Sequence, residues 1–278
     1  MFDSICIGGC GWAVSFYVGV YKALVEVYGY DNLKTWNVCC VSGSSGISIA
    51  IATGTTHEHV DTIFKKVHEL ANIYGTTNSF PGMTHLAIDC LFHFKEPYID
   101  QVNPRFHVAV SELYNKLVIK NNFTDDKELF KYLHSTAHIP FYTTSLESIN
   151  LSNLDAGFTC NLPKFKERTL YVSVADREAH INLTDQLSTL DMVYANLPDR
   201  YEELKQIGYH RTKDFLQTYN KTKIAPTVKH YHNKFIHAFA WVCFRYDKYV
   251  VIKSKLLLKK LIMQFLKHFD KYILTIAL

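Results

Sequence analysis

The stretches SICIGGCGW at Ser4–Trp12 and NVCCVSGSSG at Asn37–Gly46 decide the fold. Each is a short apolar run that enters a loop of small residues, the pattern of a buried strand ending in a turn. Between them, Trp12–Tyr28 has helical spacing, with Phe16, Val20, Ala23, Leu24 and Val27 on one face and Gly29 at its end. After the second loop, Ile47–Ala52 is small and apolar, as in a helix packed inside a sheet protein. Strand, loop, helix, repeated twice, implies an α/β fold with a mainly parallel sheet. Both loops then lie at the C-terminal ends of their strands, the side of an open α/β sheet where ligands bind.

Further along, His57–Tyr74 reads as a helix stopped by Gly75, and Phe106–Val110 with Leu117–Ile119 reads as a strand pair. Asp125 can cap a helix that runs to about His134, with Glu128 three residues later. Phe141–Thr144 and Thr169–Val174 are further strand candidates. After about Asp176 the pattern turns mostly helical, and Pro198 opens a stretch reaching about Asn220. The expected division is a catalytic domain over 1–178 and a helical C-terminal region over 179–278 packed on it.

With 278 residues, 48% of them hydrophobic, the chain can bury a large core. A formal charge of +4 gives no case for nucleic-acid binding. The seven cysteines include no CxxC pair, so they read as reduced thiols of a cytoplasmic chain and not as a zinc site. The N-terminus carries Asp3 and no basic segment, so no signal peptide is expected, and no apolar run reaches membrane-spanning length.

The segment Ser42-Gly43-Ser44-Ser45-Gly46 places serines on a sharp turn between strand and helix. This is the setting of a nucleophile elbow, and equally of a serine-rich helix cap. Gly9-Cys10-Gly11 can offer backbone N–H groups to an oxyanion. Neither a complete GxGxxG nor a GxxxxGK[ST] is present, so nucleotide binding is poorly supported. Asp155-Ala156-Gly157, alone, is a plain turn.

Taken together, these segments resemble the patatin-like phospholipases. ICIGGCGWAVSFYVGV (Ile5–Val20) is similar to their oxyanion loop, closest to the adipose triglyceride lipase and adiponutrin branch. SGSSGISIA (Ser42–Ala50) resembles the GxSxG elbow, and LDAGFTCNLP (Leu154–Pro163) the aspartate-Gly-Gly segment. TDDKELFKYLHSTAHIPFY (Thr124–Tyr142), TLYVSVADREAHI (Thr169–Ile181) and LKQIGYHRTKDFL (Leu204–Leu216) extend the likeness. The resemblance implies a three-layer fold, with the sheet between helices, and a lipid acyl hydrolase (phospholipase A or triacylglycerol lipase) that needs no metal or organic cofactor. It assigns Ser44 as nucleophile and Asp155 as base, without a histidine. Gly9, Cys10 and Gly11 would form the oxyanion hole, with help from Ser45. The sequence departs from the family pattern at Ser42 and Ala156, each in place of a glycine, and at Val14. A decayed lipid-binding or regulatory protein on the same scaffold is the alternative.

His180, His210, His230, His232 and His237 follow Asp155, so a Ser–Asp–His order exists on paper. Only one strand–helix unit precedes the elbow, which speaks against an α/β-hydrolase triad. Lys253–Leu278 is basic and amphipathic. It reads either as a helix lying on a membrane or lipid-droplet surface or as a terminal helix docked on the core.

Overall fold

The computed structural model describes residues 2–74, 98–112, 116–139 and 153–219. Strand β1 (Ser4–Ile7) leads through the glycine loop into α1 (Val14–Tyr28), then α2 (Tyr30–Leu33) and β2 (Asn37–Cys40). A 3-10 turn at Ser42–Ser44 continues directly into α3 (Ser45–Thr53), which α4 (His57–Tyr74) follows. Next come α5 (Ile99–Val102), β3 (Phe106–Glu112), β4 (Lys116–Lys120) and α6 (Asp126–Thr136). Strand β5 (Asn153–Asp155) runs into a second 3-10 turn, Ala156–Phe158. The order ends with β6 (Thr169–Ser173), β7 (Ile181–Asn182), α7 (Thr189–Val193) and α8 (Pro198–Thr218).

The seven strands form one sheet in the order β4-β3-β2-β1-β6-β7, with β5 paired to β3. Strands β3, β2, β1, β6 and β7 are parallel, and β4 and β5 run antiparallel to β3. The mainly parallel α/β sheet expected from the first two strands is therefore what the chain forms. Side chains alternate between the faces with the period of two that a pleated strand requires. Ile5, Ile7, Val38, Cys40, Phe106, Val108, Leu170 and Val172 enter the large core, which also takes the buried residues of α1, α3, α4, α6 and α8. Cys6, Cys39 and Tyr171 enter a smaller cluster with Leu162 and Ala179, and Val41 and Ala109 pack with Ala156.

Helix signals in the sequence act as read. The Asp125 carboxylate accepts the Glu128 N–H at 2.7 Å at the start of α6. Gly29, with a φ of +75°, ends α1. Strand β7, in the region expected to be mostly helical, is two residues long, too short for alternation to register. Residues beyond 179 belong to the same core: Ile181, Leu183, Tyr201 and Leu204 are buried in it. Helices α1 and α8 cross backbone to backbone, since a Cβ on Gly19 would overlap the Lys205 carbonyl and one on Gly208 the Phe16 carbonyl. The Phe141–Thr144 strand candidate and Lys253–Leu278 lie outside the described residues. Among the described residues no helix is long and apolar enough to cross a membrane.

One feature of the pairing places the site. Strand β2 pairs with β3 only over Phe106–Val108, while β4 holds the other edge of β3 up to Glu112. Strand β5 pairs with Val110–Glu112 and so occupies the lane that β2 vacates. It runs back toward the end of β2, and its last residue, Asp155, opposite Val110, meets the turn that follows Cys40.

Candidate active site

The turn after β2 holds its first residue in a conformation that L side chains avoid. Ser42 has a φ of +56°, a strain of about 1–2 kcal/mol for a residue other than glycine. A strained residue on a strand-to-helix turn is the geometry that presents a nucleophile. The Ser42 hydroxyl donates a short hydrogen bond to Asp155 Oδ2. Asp155 is 4% exposed, and its Oδ1 accepts the Gly157 N–H at 2.7 Å. Burial pushes its carboxyl up to about 6, partly offset by the hydrogen bonds from Ser42 and Gly157.

The sequence resemblance points to Ser44, whereas the hydroxyl that reaches Asp155 in the structure is that of Ser42. Ser44 is fully buried, and its hydroxyl lies 2.9 Å from Ile7 O and 2.8 Å from Val41 O and accepts the Val41 N–H at 3.1 Å. Its one proton is thus taken up by a carbonyl, and its role is to tie the end of β1 to the turn after β2. The GxSxG template had aligned on residues 42–46. The residue of this segment that contacts Asp155 is its first, Ser42, and not its third, Ser44. Position separates the two serines: Ser42 opens the turn, two residues past the end of β2, and Ser44 closes it against α3.

The glycine loop lies against the same turn. A Cβ on Gly9 would stand 3.1 Å from Ser42 Cβ, and one on Gly43 would stand 2.8 Å from Gly11 O and 3.2 Å from Cys10 Sγ. Gly11 has a φ of +53° and packs against the Met192 carbonyl, so both its conformation and its neighbour demand glycine. Burial and the nearby Asp155 push the Cys10 thiol well up, keeping it neutral.

Among the oxyanion candidates, Gly9 and Ser45 have their N–H groups engaged. Gly9 donates to Asn161 Oδ1 at 3.0 Å, and Ser45 donates to the Ser42 carbonyl. The N–H groups of Cys10, Gly11 and Gly43 find no acceptor among the described residues. Gly43 stands at the N-terminal end of a helix, where the backbone dipoles favour negative charge. Gly46 sits inside α3, and Ala156 and Gly157 form the 3-10 turn after Asp155.

Three supporting residues were not singled out from the sequence. Asn161 ties the glycine loop to the end of β6, its Nδ2 donating to Ser173 Oγ at 3.4 Å while Oδ1 accepts the Gly9 N–H. Tyr17 donates to the Gly8 carbonyl at 2.8 Å and accepts the Val174 N–H at 3.1 Å. Thr136 accepts the Ser42 N–H at 2.9 Å and donates to the Ala109 carbonyl at 2.6 Å.

Of the histidines that follow Asp155, His180 and His210 are described, and both are held by other partners. His180 Nδ1 accepts the Tyr171 N–H at 3.0 Å, and the ring packs among Phe2, Phe215 and Tyr219, where burial pushes it down to about 4. His210 packs against Tyr209 on α8. His230, His232 and His237 lie outside the described residues. Among the described residues no cluster of His, Cys, Asp or Glu could hold a metal ion, and Cys6, Cys10, Cys39, Cys40 and Cys160 are buried and unbridged.

No protein-family model matches the chain, and no curated protein matches it. Solved structures are similar in backbone. VipD from Legionella pneumophila aligns at a TM-score of 0.48 with 11% identity, over 78% of this chain and 67% of that one. ExoU of Pseudomonas aeruginosa, in complex with SpcU from the type III secretion system, aligns at 0.42 with 13% identity, over 78% of this chain and 51% of that one. A further structure of this complex gives 0.44 and 13%. The chain thus spans about two thirds of VipD and half of ExoU.

Proposed function

We propose that the chain is a lipid acyl hydrolase that works through a dyad of Ser42 and Asp155. The observation that carries this reading is the hydroxyl of Ser42, a residue of positive φ, hydrogen-bonded to a buried carboxylate beside backbone donors that find no acceptor among the described residues. A serine hydroxyl needs a group to take its proton as it attacks, and a carboxylate raised to about 6 is a better base than an ordinary one while still ionised at neutral pH. Ser42 Oγ attacks the acyl carbonyl and its proton passes to Asp155. The N–H groups of Cys10, Gly11 and Gly43 receive the oxyanion. As the tetrahedral intermediate collapses, Asp155 returns the proton to the leaving alcohol, and an acyl-enzyme remains. Asp155 then takes a proton from water, which attacks the ester, and the fatty acid leaves as the proton returns to Ser42.

The ester chemistry rests on the site; the lipid substrate rests on the resemblance of the ordered motifs to patatin-like phospholipases. In this assignment Ser42 replaces Ser44, and Gly43 replaces Gly9 and Ser45 as a donor beside Cys10 and Gly11. Labelling with a fluorophosphonate, together with fatty-acid release from phospholipid, triacylglycerol and lysolipid, tests it. Ser42→Ala should lose both, whereas Ser44→Ala should keep labelling in whatever fraction folds. Labelling that survives in Ser42→Ala and disappears in folded Ser44→Ala would restore the sequence assignment. A wild type that neither labels nor hydrolyses would leave a lipid-binding scaffold without catalysis.

A further inference from the structure

We infer that Thr136 is a positioning residue whose hydroxyl sets the Ser42 backbone in register with the strand that carries Asp155. This rests on the Ser42–Asp155 reading above. Thr136 is the last residue of α6 and is fully buried. Its Oγ1 is the middle of a relay: the Ser42 N–H donates to it, and its own proton goes to the carbonyl of Ala109 on β3. The next residue on β3, Val110, is the Cα partner of Asp155 in the β3–β5 ladder. The proposed nucleophile and base are therefore both referenced to adjacent residues of one strand. Asp155 is fixed by main-chain pairing and Ser42 through one side chain.

The relay matters because of where it acts. Ser42 holds a φ of +56°, which its own chain does not favour, so an outside partner must secure the peptide in that orientation. The N–H that Thr136 accepts belongs to Ser42 itself. Losing it frees the peptide to relax toward negative φ, which swings the Cα–Cβ bond and carries Oγ off Asp155. The aspartate side is braced on the same strand a second time, since Ser111 Oγ of β3 lies 2.6 Å from Thr159 Oγ1. The serine side has the Thr136 hydroxyl in the corresponding place.

Thr136→Val keeps the shape and removes the relay, whereas Thr136→Ser keeps both hydrogen bonds and drops a methyl. Full-length variants would be assayed for hydrolysis of p-nitrophenyl butyrate and for the rate of fluorophosphonate labelling, each normalised to the fraction folded by near-ultraviolet circular dichroism. Thr136→Val should lower kcat and the labelling rate at least tenfold with KM within about twofold, and Thr136→Ser should restore both to within about threefold of wild type. The inference is overturned if folded Thr136→Val keeps kcat within twofold, or if Thr136→Ser is as slow as Thr136→Val. Should Thr136→Val yield no folded protein, Thr136→Cys takes its place, with the same thresholds. Ser42→Ala run beside them separates the two ideas. If it stays active, the dyad reading falls; if it is dead while Thr136→Val is normal, only the role of Thr136 falls.

Discussion

Replacing Asp155 by Asn should make the protein more stable and nearly inactive at the same time, and the stability gain should depend on pH in a fixed way. The folded-state carboxyl titrates at about 6 against an ordinary 3.8, because burial disfavours its charge. At about 1.36 kcal/mol per tenfold change in proton affinity, holding that carboxylate ionised at neutral pH costs the fold about 3 kcal/mol. The sign follows from proton counting. Below pH 3.8 both states carry the proton and no cost is felt. Between 3.8 and about 6 the unfolded chain has released it while the folded protein keeps it, so wild-type stability falls as pH rises. Above about 6 the loss is complete and the curve levels. An Asn side chain has the same outline: its Oδ1 can accept the Gly157 N–H, and its Nδ2 can face the Ser42 hydroxyl. It does not titrate. Urea unfolding of both proteins at a series of pH values from 4 to 8 gives the difference between them, and any pH-independent offset from the amide cancels in its slope. The difference should grow by about 2 kcal/mol between pH 4 and about 6 and stay flat from there to pH 8, while hydrolysis by Asp155→Asn drops by orders of magnitude. A difference that is constant from pH 4 to 8 would refute the burial argument, and with it the claim that Asp155 is a raised base.

The same carboxyl should set the acidic limb of kcat/KM for a soluble ester, half-maximal near pH 6 instead of near 4; a limb at 4 would mean that the group is not desolvated. Asn161→Ala removes the acceptor of the Gly9 N–H and should slow ester hydrolysis tenfold or more, with folding intact by circular dichroism; an unchanged rate would show that the loop keeps its shape without the bridge. His180→Gln should leave the rate within about tenfold, or about 1.4 kcal/mol of barrier, because that ring is held by Tyr171 and the Phe2–Phe215–Tyr219 cluster. A folded variant as dead as Ser42→Ala would reinstate a histidine base.

The order of strands and helices was legible because buried strands leave apolar runs and helices leave a 3.6-residue period. Val14–Tyr28, His57–Tyr74 and Pro198–Thr218 lie within a residue or two of their expected bounds. Asp155 was reachable only through the resemblance of its segment, since an Asp before a small residue and a glycine is an ordinary turn. Choosing between Ser42 and Ser44 required the backbone: the two are chemically alike, and only the φ of Ser42 and the hydroxyl partners tell them apart. Thr136 stood in a quoted stretch without being singled out. It is far from Ser42 in the chain, and a threonine at the end of a helix is unremarkable until its neighbour across the fold is known. The side chain of Asn161 stood in a quoted motif, yet its acceptor role depends on which way the amide faces.

The crossing of α1 and α8 has a mechanical meaning for the chemistry. Gly19 faces the Lys205 carbonyl and Gly208 the Phe16 carbonyl, so the nearest atom at each glycine is backbone that cannot rotate aside to absorb a change. The crossing works as a fulcrum. Val14, the first residue of α1, lies five positions upstream of Gly19, about 7.5 Å along the axis, and the glycine loop is attached to that end. A methyl group added at either glycine would pry the helices apart and tip the loop relative to Ser42, and misplacement of reacting groups by about 1 Å costs on the order of a hundredfold in rate. The aim of the proposed oxyanion donors would thus be calibrated by a helix that begins at Pro198. A mutational scan along α8 should show its steepest activity losses at Gly208, and not at the charged residues on its exposed side.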